Sequence, residues 1–222
     1  MSAPLLTLAS ASPRRRQLLD QIGVPHRVRP ADVDETAQPG ESPADYALRV
    51  AIAKADAGWA ADPSLPVLAA DTAVALGTTL YAKPADRADG LAMLAALSGR
   101  THRVLTAVAL RYAGGLDTAL SISEVTFRAT TADERRRYWD TGEPLGKAGG
   151  YAVQGFAAVF VTRVDGSYSG VMGLPLAETG ALLARAGVPV WQDGPPHGEC
   201  RARAVPAIGA AVARQATTDQ RT

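Results

Sequence analysis

The sequence predicts an α/β fold built on a mixed β-sheet, and three observations carry this. Strand-like and helix-like segments alternate along most of the chain. One nearly unbroken apolar run, residues 66–76, has the length and character of a central strand covered on both faces. Two β-rich stretches, residues 102–112 and 116–128, flank Gly114 and Gly115 and read as an antiparallel pair.

Each element has a local reason. Residues 5–9 are a short apolar run, read as a strand. Ser12 suits an N-cap and Pro13 the first helical position, so a tight turn and a helix follow, with Gly23 as the stop. Residues 26–29 read as a second strand and the acidic stretch 32–40 as a loop. Ser42, Pro43 and Asp45 open a helix that runs to about residue 60, with Ala47, Val50, Ala51 and Ala55 toward one side. Residues 81–84 read as a loop, and 86–97 as a helix stopped by Gly99. Thr131 and Glu134 form a capping box for a short helix to Asp140. Residues 142–155 are glycine-rich and loop-like, 157–164 read as a strand ending in a turn at Asp165 and Gly166, and 175–186 as the last helix. From His197 the pattern decays. The expected division is therefore one domain over residues 1–191 and a loosely structured tail over 192–222.

Composition narrows the function. The chain has 222 residues and is 47% hydrophobic, as expected of a globular protein with a sizeable core. With 23 basic against 22 acidic residues it has no global attraction for a nucleic acid, so any anion site is local. Cys200 is the only cysteine, which excludes an intrachain disulfide. No apolar run reaches the ~20 residues of a membrane span, and the apolar start is too short for a secretory signal. The expectation is a soluble, cytoplasmic protein with no membrane or nucleic-acid partner. No Walker-type phosphate loop or Gly-x-Ser-x-Gly elbow is present, and His26, His102 and His197 lack metal-ligand spacing. His102 reads as a turn residue.

Four constellations could carry chemistry. Ser10, Ser12, Arg14 and Arg15 sit at a strand-to-helix turn, where free N–H groups, the helix dipole and two guanidinium forks suit a phosphate. A capped helix with a solvated basic first turn is the plainer account, although arginines there oppose the dipole and call for an offsetting group. Asp71 is the single charge in an apolar run, where an unpaired carboxylate is costly, so it should face a cleft, a metal or a cation; a turn aspartate is the alternative. Thr72 adds a hydroxyl beside it. Lys83 is fixed by Pro84 and Lys54 lies on the helix after Ser42, but each alone reads as a surface charge. Glu35 could bind a hard cation such as Mg²⁺ together with Asp71, against a default of solvated loop acids. Finally, Gln154 ends the glycine-rich segment, and its amide suits the carbonyl and N–H edge of uracil or thymine; a surface glutamine on a connector is the alternative.

Taken in order, residues 8–15, Ala70-Asp71-Thr72, Lys83-Pro84, residues 97–104, residues 142–155, and Gly166 to Tyr168 followed by Gly173 to Pro175 resemble the Maf family of nucleotide pyrophosphatases, over residues 5–188. The resemblance implies an elongated, two-lobed architecture like that of inosine triphosphatases, with a strongly twisted mixed sheet, flanking helices and a central cleft, in a homodimer. It implies hydrolysis of a nucleoside triphosphate to monophosphate and pyrophosphate with a divalent cation, Mg²⁺ or else Mn²⁺ or Co²⁺. By motif position Asp71 is the catalytic carboxylate, Ser10, Arg14, Arg15, Lys54 and Lys83 contact phosphate, and Glu35 helps bind metal. Arg14, Thr72 and Gln154 match positions tied to base selection in the branch preferring dTTP and UTP. One position departs: where the family has Asp before Lys-Ala-Gly, this chain has Gly146.

The expected reaction has a metal-bridged triphosphate against the residue 10–15 turn, with Asp71 activating water for attack at the α-phosphorus. Whether Asp71 is base, metal ligand or both is open at this point. Other bases, including modified pyrimidines, are alternative substrates. Non-enzymatic readings are a nucleotide-binding regulator of septum formation and a signal-binding module. Asp71 speaks against both, because binding phosphate needs no carboxylate beside it.

Overall fold

The chain enters its sheet through β1 (Leu6–Leu8), leaves through helix α1 (Pro13–Gln21) and returns beside β1 as the parallel strand β2 (His26–Val28). A parallel return needs a crossover, and α1 supplies it. The computed structural model describes residues 3–192, so all but the first residue of the expected tail lies outside the described residues.

Helix α2 (Pro43–Ala61) starts at Ser42, whose Oγ accepts from the Asp45 N–H at 3.1 Å, and leads to β3 (Val67–Leu76). β3 runs parallel to β1 on one side and antiparallel to β5 (Thr101–Tyr112) on the other. β6 (Gly115–Phe127) and β7 (Val161–Asp165) continue antiparallel, giving the order β2-β1-β3-β5-β6-β7, and β4 (Thr79–Tyr81) pairs with the far end of β3. Helices α3 (Arg87–Leu97), α4 (Ala132–Asp140), α5 (Tyr168–Met172) and α6 (Leu176–Arg185) complete the fold. The predicted mixed α/β sheet flanked by helices is what forms.

The alternation of β3 explains its position. Val67, Ala69, Ala73 and Ala75 pack under Ala47, Val50, Ala51 and Ala55 of α2. The opposite face divides: Leu68 and Ala70 join the core of β1, α1 and α6, whereas Val74 joins Leu94, Leu97, Phe127 and Tyr151. Small alanines on both helix and strand bring α2 close to the sheet, which carries Lys54 to the strand. The edge of β3 matters equally. β1 pairs with it only as far as Leu8 opposite Leu68, and pairing with β4 starts only at Val74, opposite Tyr81. Among the described residues no strand pairs with residues 69–73 on that edge, and a cleft opens along it.

Several local expectations need correction. Residues 79–81 form a strand, where only a loop from 81 was expected. The hairpin turn is at Ala113 and Gly114, because Tyr112 pairs with Gly115. The expected strand over 157–164 begins only at Val161, since Phe156–Phe160 is a 3₁₀ turn. The Glu143 carboxylate takes the N–H groups of Phe156 and Ala157, at 2.9 and 3.2 Å, and so removes two donors from the ladder. His102 is not a turn residue. It lies buried in β5, with Nε2 2.7 Å from the Tyr151 hydroxyl.

Candidate active site

The cleft encloses about 690 Å³, a size that suits a nucleotide. Ser10, Ser12, Arg14, Arg15, Glu35, Lys54, Asp71, Thr72, Lys83 and Gln154 all line it, although they come from six separate places in the chain. Its basic groups are Arg14, Arg15, Lys54, Lys83 and Lys147, against the carboxylates Glu35 and Asp71. A chain of formal charge +1 thus concentrates five cations and two anions in one place, as a polyanionic substrate requires.

Asp71 and Thr72 are neighbours that point to opposite faces of β3, and the free edge lets both reach the cleft. Asp71 faces α2. Its Oδ1 accepts from the Lys54 ammonium at 2.9 Å, and Oδ2 has no hydrogen bond among the described residues. Lys54 is 7% exposed and Asp71 6%, so the lysine is not the surface charge its sequence suggested. The lysine also meets Glu35 Oε1 at 2.6 Å, while Glu35 Oε2 meets the exposed Lys83 at 2.6 Å. The result is an alternating row, Asp71–Lys54–Glu35–Lys83. Burial pushes the Glu35 carboxyl up, but the bonds from Lys54 and Lys83 outweigh it and hold the group at about 2.

On the other face Arg15 is held at three points. Its Nε donates to the Gly173 carbonyl at 2.8 Å, Nη1 to Ser10 Oγ at 3.1 Å, and Nη2 to Thr72 Oγ1 at 3.2 Å. Arg14 Nε donates to the Met172 carbonyl at 3.2 Å. Carbonyls at the end of α5 thus offset the two cations that oppose the dipole of α1. Burial lowers both guanidinium pKa values; Asp71 resists this for Arg15, and Glu143 for Arg14. Thr106 Oγ1 donates to the Gly170 carbonyl at 2.8 Å, so the Thr72 hydroxyl donates to Thr106 and accepts from Arg15.

Ser12 occupies the N-cap position of α1, but its side chain makes no capping hydrogen bond. Ser10 Oγ accepts from the Ser12 N–H at 3.2 Å and from Arg15, which leaves its own proton for a ligand. With no side-chain cap, the helix N-terminus is left to an anion. Gln154 is exposed and lines the same cleft. Gly146 also lines the cleft, with φ of +69° and none of the described residues near where a Cβ would stand.

Sequence reasoning gave no role to Lys147, Tyr46 or Tyr151, which line the same cleft. Lys147 was visible as the one cation of the glycine-rich segment. Burial lowers its pKa, nearby Arg14 lowers it further, and Glu143 opposes both. Burial, with Asp71 and Glu35 adding to it, pushes the Tyr46 phenol up to about 12, so it remains a donor.

The donor set suits a divalent cation brought in by its ligand. No group of three or more His, Cys, Asp or Glu side chains gathers among the described residues. Mg²⁺ is commonly bound by one or two carboxylates together with substrate phosphates, and Glu35 with the free Oδ2 of Asp71 would supply that number.

Similarity to known proteins identifies the family. The family described as Maf-like protein matches residues 5–186. The chain is 56% identical over 194 residues to a dTTP/UTP pyrophosphatase of Bordetella avium (strain 197N), covering 83% of this chain and 96% of that one. It is also 56% identical over 192 residues to a dTTP/UTP pyrophosphatase of Cupriavidus pinatubonensis (strain JMP 134 / LMG 1197), covering 82% and 96%. Matched over nearly all of its described length, and so closely related to these proteins, the chain belongs to the Maf family.

Proposed function

We propose that this protein is a nucleoside triphosphate pyrophosphatase that hydrolyses dTTP and UTP, or modified pyrimidine triphosphates, to the monophosphate and pyrophosphate. The observation that carries this is Asp71: a buried carboxylate with one unbonded oxygen, set in a cleft otherwise dominated by cations. The names of the similar proteins support the substrate. A regulator that only binds nucleotide would gain nothing from a carboxylate facing the phosphates, so the hydrolytic reading is preferred to the septum regulator.

In this reading the α1 N-terminus, the Ser10 hydroxyl, Arg14, Arg15 and Lys83 hold the triphosphate. Lys54 bridges Asp71 and Glu35 and offsets their mutual repulsion. Asp71 Oδ2 takes a proton from the attacking water as the water oxygen bonds to the α-phosphorus. The bond from that phosphorus to the bridging oxygen breaks, and pyrophosphate leaves with its charge facing the cations. Glu35 and Asp71 would hold a divalent cation, Mg²⁺ with Mn²⁺ or Co²⁺ as substitutes, which supplies Lewis acidity toward phosphate oxygens and water. Gln154 presents one donor and one acceptor to the base, with Arg14 and Thr72 beside the same cleft. No helix among the described residues is long and apolar enough to cross a membrane. A homodimer working in the cytoplasm completes the reading; exposed Phe156 and Val159 offer apolar surface for a second copy.

Asp71→Asn keeps the shape and removes the proton acceptor. Its turnover of dTTP with Mg²⁺ is expected to fall by roughly 10²–10⁴-fold, while the parent releases pyrophosphate and monophosphate. Parent-like turnover in the variant would remove Asp71 from the chemistry, and orthophosphate with diphosphate as products would overturn attack at the α-phosphorus.

A further inference from the structure

We propose that Glu143 is a positioning residue for base selection, whose carboxylate acts with the Tyr138 phenol to clip the backbone on both sides of Gln154. This rests on the reading of Gln154 as the base-selecting group. The problem it answers is that Gln154 is exposed and makes no side-chain hydrogen bond to any described residue. A glutamine without its own anchor is aimed by its backbone, and a flexible backbone would leave the amide free to accept any base edge.

Tyr138 and Glu143 together hold the backbone on both sides of Gln154. Two residues before Gln154, the Ala152 N–H donates to the Tyr138 hydroxyl at 3.3 Å. Two residues after it, the Phe156 N–H donates to Glu143 Oε2 at 2.9 Å, and Ala157 follows at 3.2 Å to Oε1. The Tyr138 hydroxyl donates to that same Oε1 at 2.8 Å, which joins the two clips. Gly155 lets the backbone come this close, because a Cβ there would stand 2.0 Å from Glu143 Oε2. The Glu143 carbonyl also accepts from the Lys147 ammonium, and its N–H donates to Thr141 Oγ1 at 3.2 Å.

The choice of acceptor is informative. Among the described residues Glu143 takes part in no salt bridge. Its charge goes instead to a phenol and two amide N–H groups, where an ionised acceptor makes bonds roughly twice as strong as a neutral one. Tyr138 is buried near the end of α4, so the clip ties the position of a packed helix to the segment that carries Gln154. A surface acid serving only solubility would face water.

The test compares dTTP with dCTP, whose ring reverses the donor and acceptor that the amide meets. Glu143→Gln keeps the volume but has one acceptor oxygen and an NH₂ that faces the N–H donors. The preference for dTTP over dCTP is expected to fall at least about tenfold, through a raised KM for dTTP, with kcat held within roughly threefold. Tyr138→Phe breaks the same clip and is expected to act in the same direction, so it replaces Glu143→Gln if that variant does not fold. An equal loss on both substrates, or an unchanged preference, in a variant that folds would overturn the inference. Gln154→Ala run in parallel separates the two readings. If it lowers the preference and Glu143→Gln does not, only the role of Glu143 falls. If Gln154→Ala leaves the preference intact, the base-selection reading falls and the role of Glu143 with it.

Discussion

Lys54 is the residue on which both site carboxylates depend. Its ammonium is within 2.6 Å of Glu35 and 2.9 Å of Asp71, and almost no water reaches it. Removing one member of a buried ion pair leaves an uncompensated charge, which typically costs ~3–5 kcal/mol. Lys54→Met is therefore expected to lower stability at neutral pH by about that amount in urea denaturation, and to abolish measurable dTTP turnover. Unchanged stability would mean that water screens the carboxylates. The sequence shows Asp71 clearly, because one charge in an apolar run has to be accounted for. It does not show Lys54 as its partner. Nothing on a helix of ordinary composition reveals which lysine will face a strand 17 positions later; that pairing follows from the close alanine packing of α2 on β3. Glu143 and Tyr138 were hidden for the same reason, since their role is defined by backbone groups that only the folded loop brings near.

Elements with strong local chemistry are legible, and those shaped by their neighbours are not. The starts of α2 and α4 follow from Ser42 and from the Thr131–Glu134 capping box, which both form as read. Pro13 fixes the start of α1, yet the capping side-chain bond expected of Ser12 is absent. β4 has only three residues, too few for an alternating pattern, and α5 is a single turn of five. The glycine-rich segment gives a further test at this scale. Gly149 has φ of +66°, and a Cβ there would meet the Val74 side chain of β3 at 3.0–3.1 Å. It sits in the 3₁₀ turn Ala148–Gly150, and its N–H donates to the Ala82 carbonyl at 3.1 Å. Left-handed backbone costs a residue with a Cβ ~1–2 kcal/mol, and crowding a packed strand adds to it. Gly149→Ala is expected to lose about 2 kcal/mol in thermal or urea unfolding and to raise the KM for dTTP. A neutral effect would show that the turn relaxes away from β3.

Over the whole molecule, the pH dependence of stability should report the buried aromatic cluster before it reports the active site. His102 lies between Phe127 and Tyr151, at centroid distances of 5.0 and 5.4 Å, and its Nδ1 has no hydrogen-bond partner among the described residues. Burial pushes its pKa down from 6.5 to about 4. The folded state therefore binds fewer protons than the unfolded chain between those values. The stability this gives is fully present above about 6.5 and is lost as pH falls toward 4. The carboxylates act lower on the scale. Glu35 and Glu134 are held at about 2, against 4.5 for the free group; burial opposes the shift at Glu35, and the bond from Arg128 leads it at Glu134. Their stabilisation is present above about 4.5 and lost as pH falls through about 2. Acid unfolding should thus proceed in two stages. Urea midpoints of the parent are expected to drop between pH 7 and pH 5, before Glu35 loses its charge. His102→Gln, which cannot take up a proton, is expected to show a flatter profile across that interval and the same fall below pH 4. A parent profile that is level from pH 7 to pH 5, or a His102→Gln profile equally steep there, would place the first protonation elsewhere.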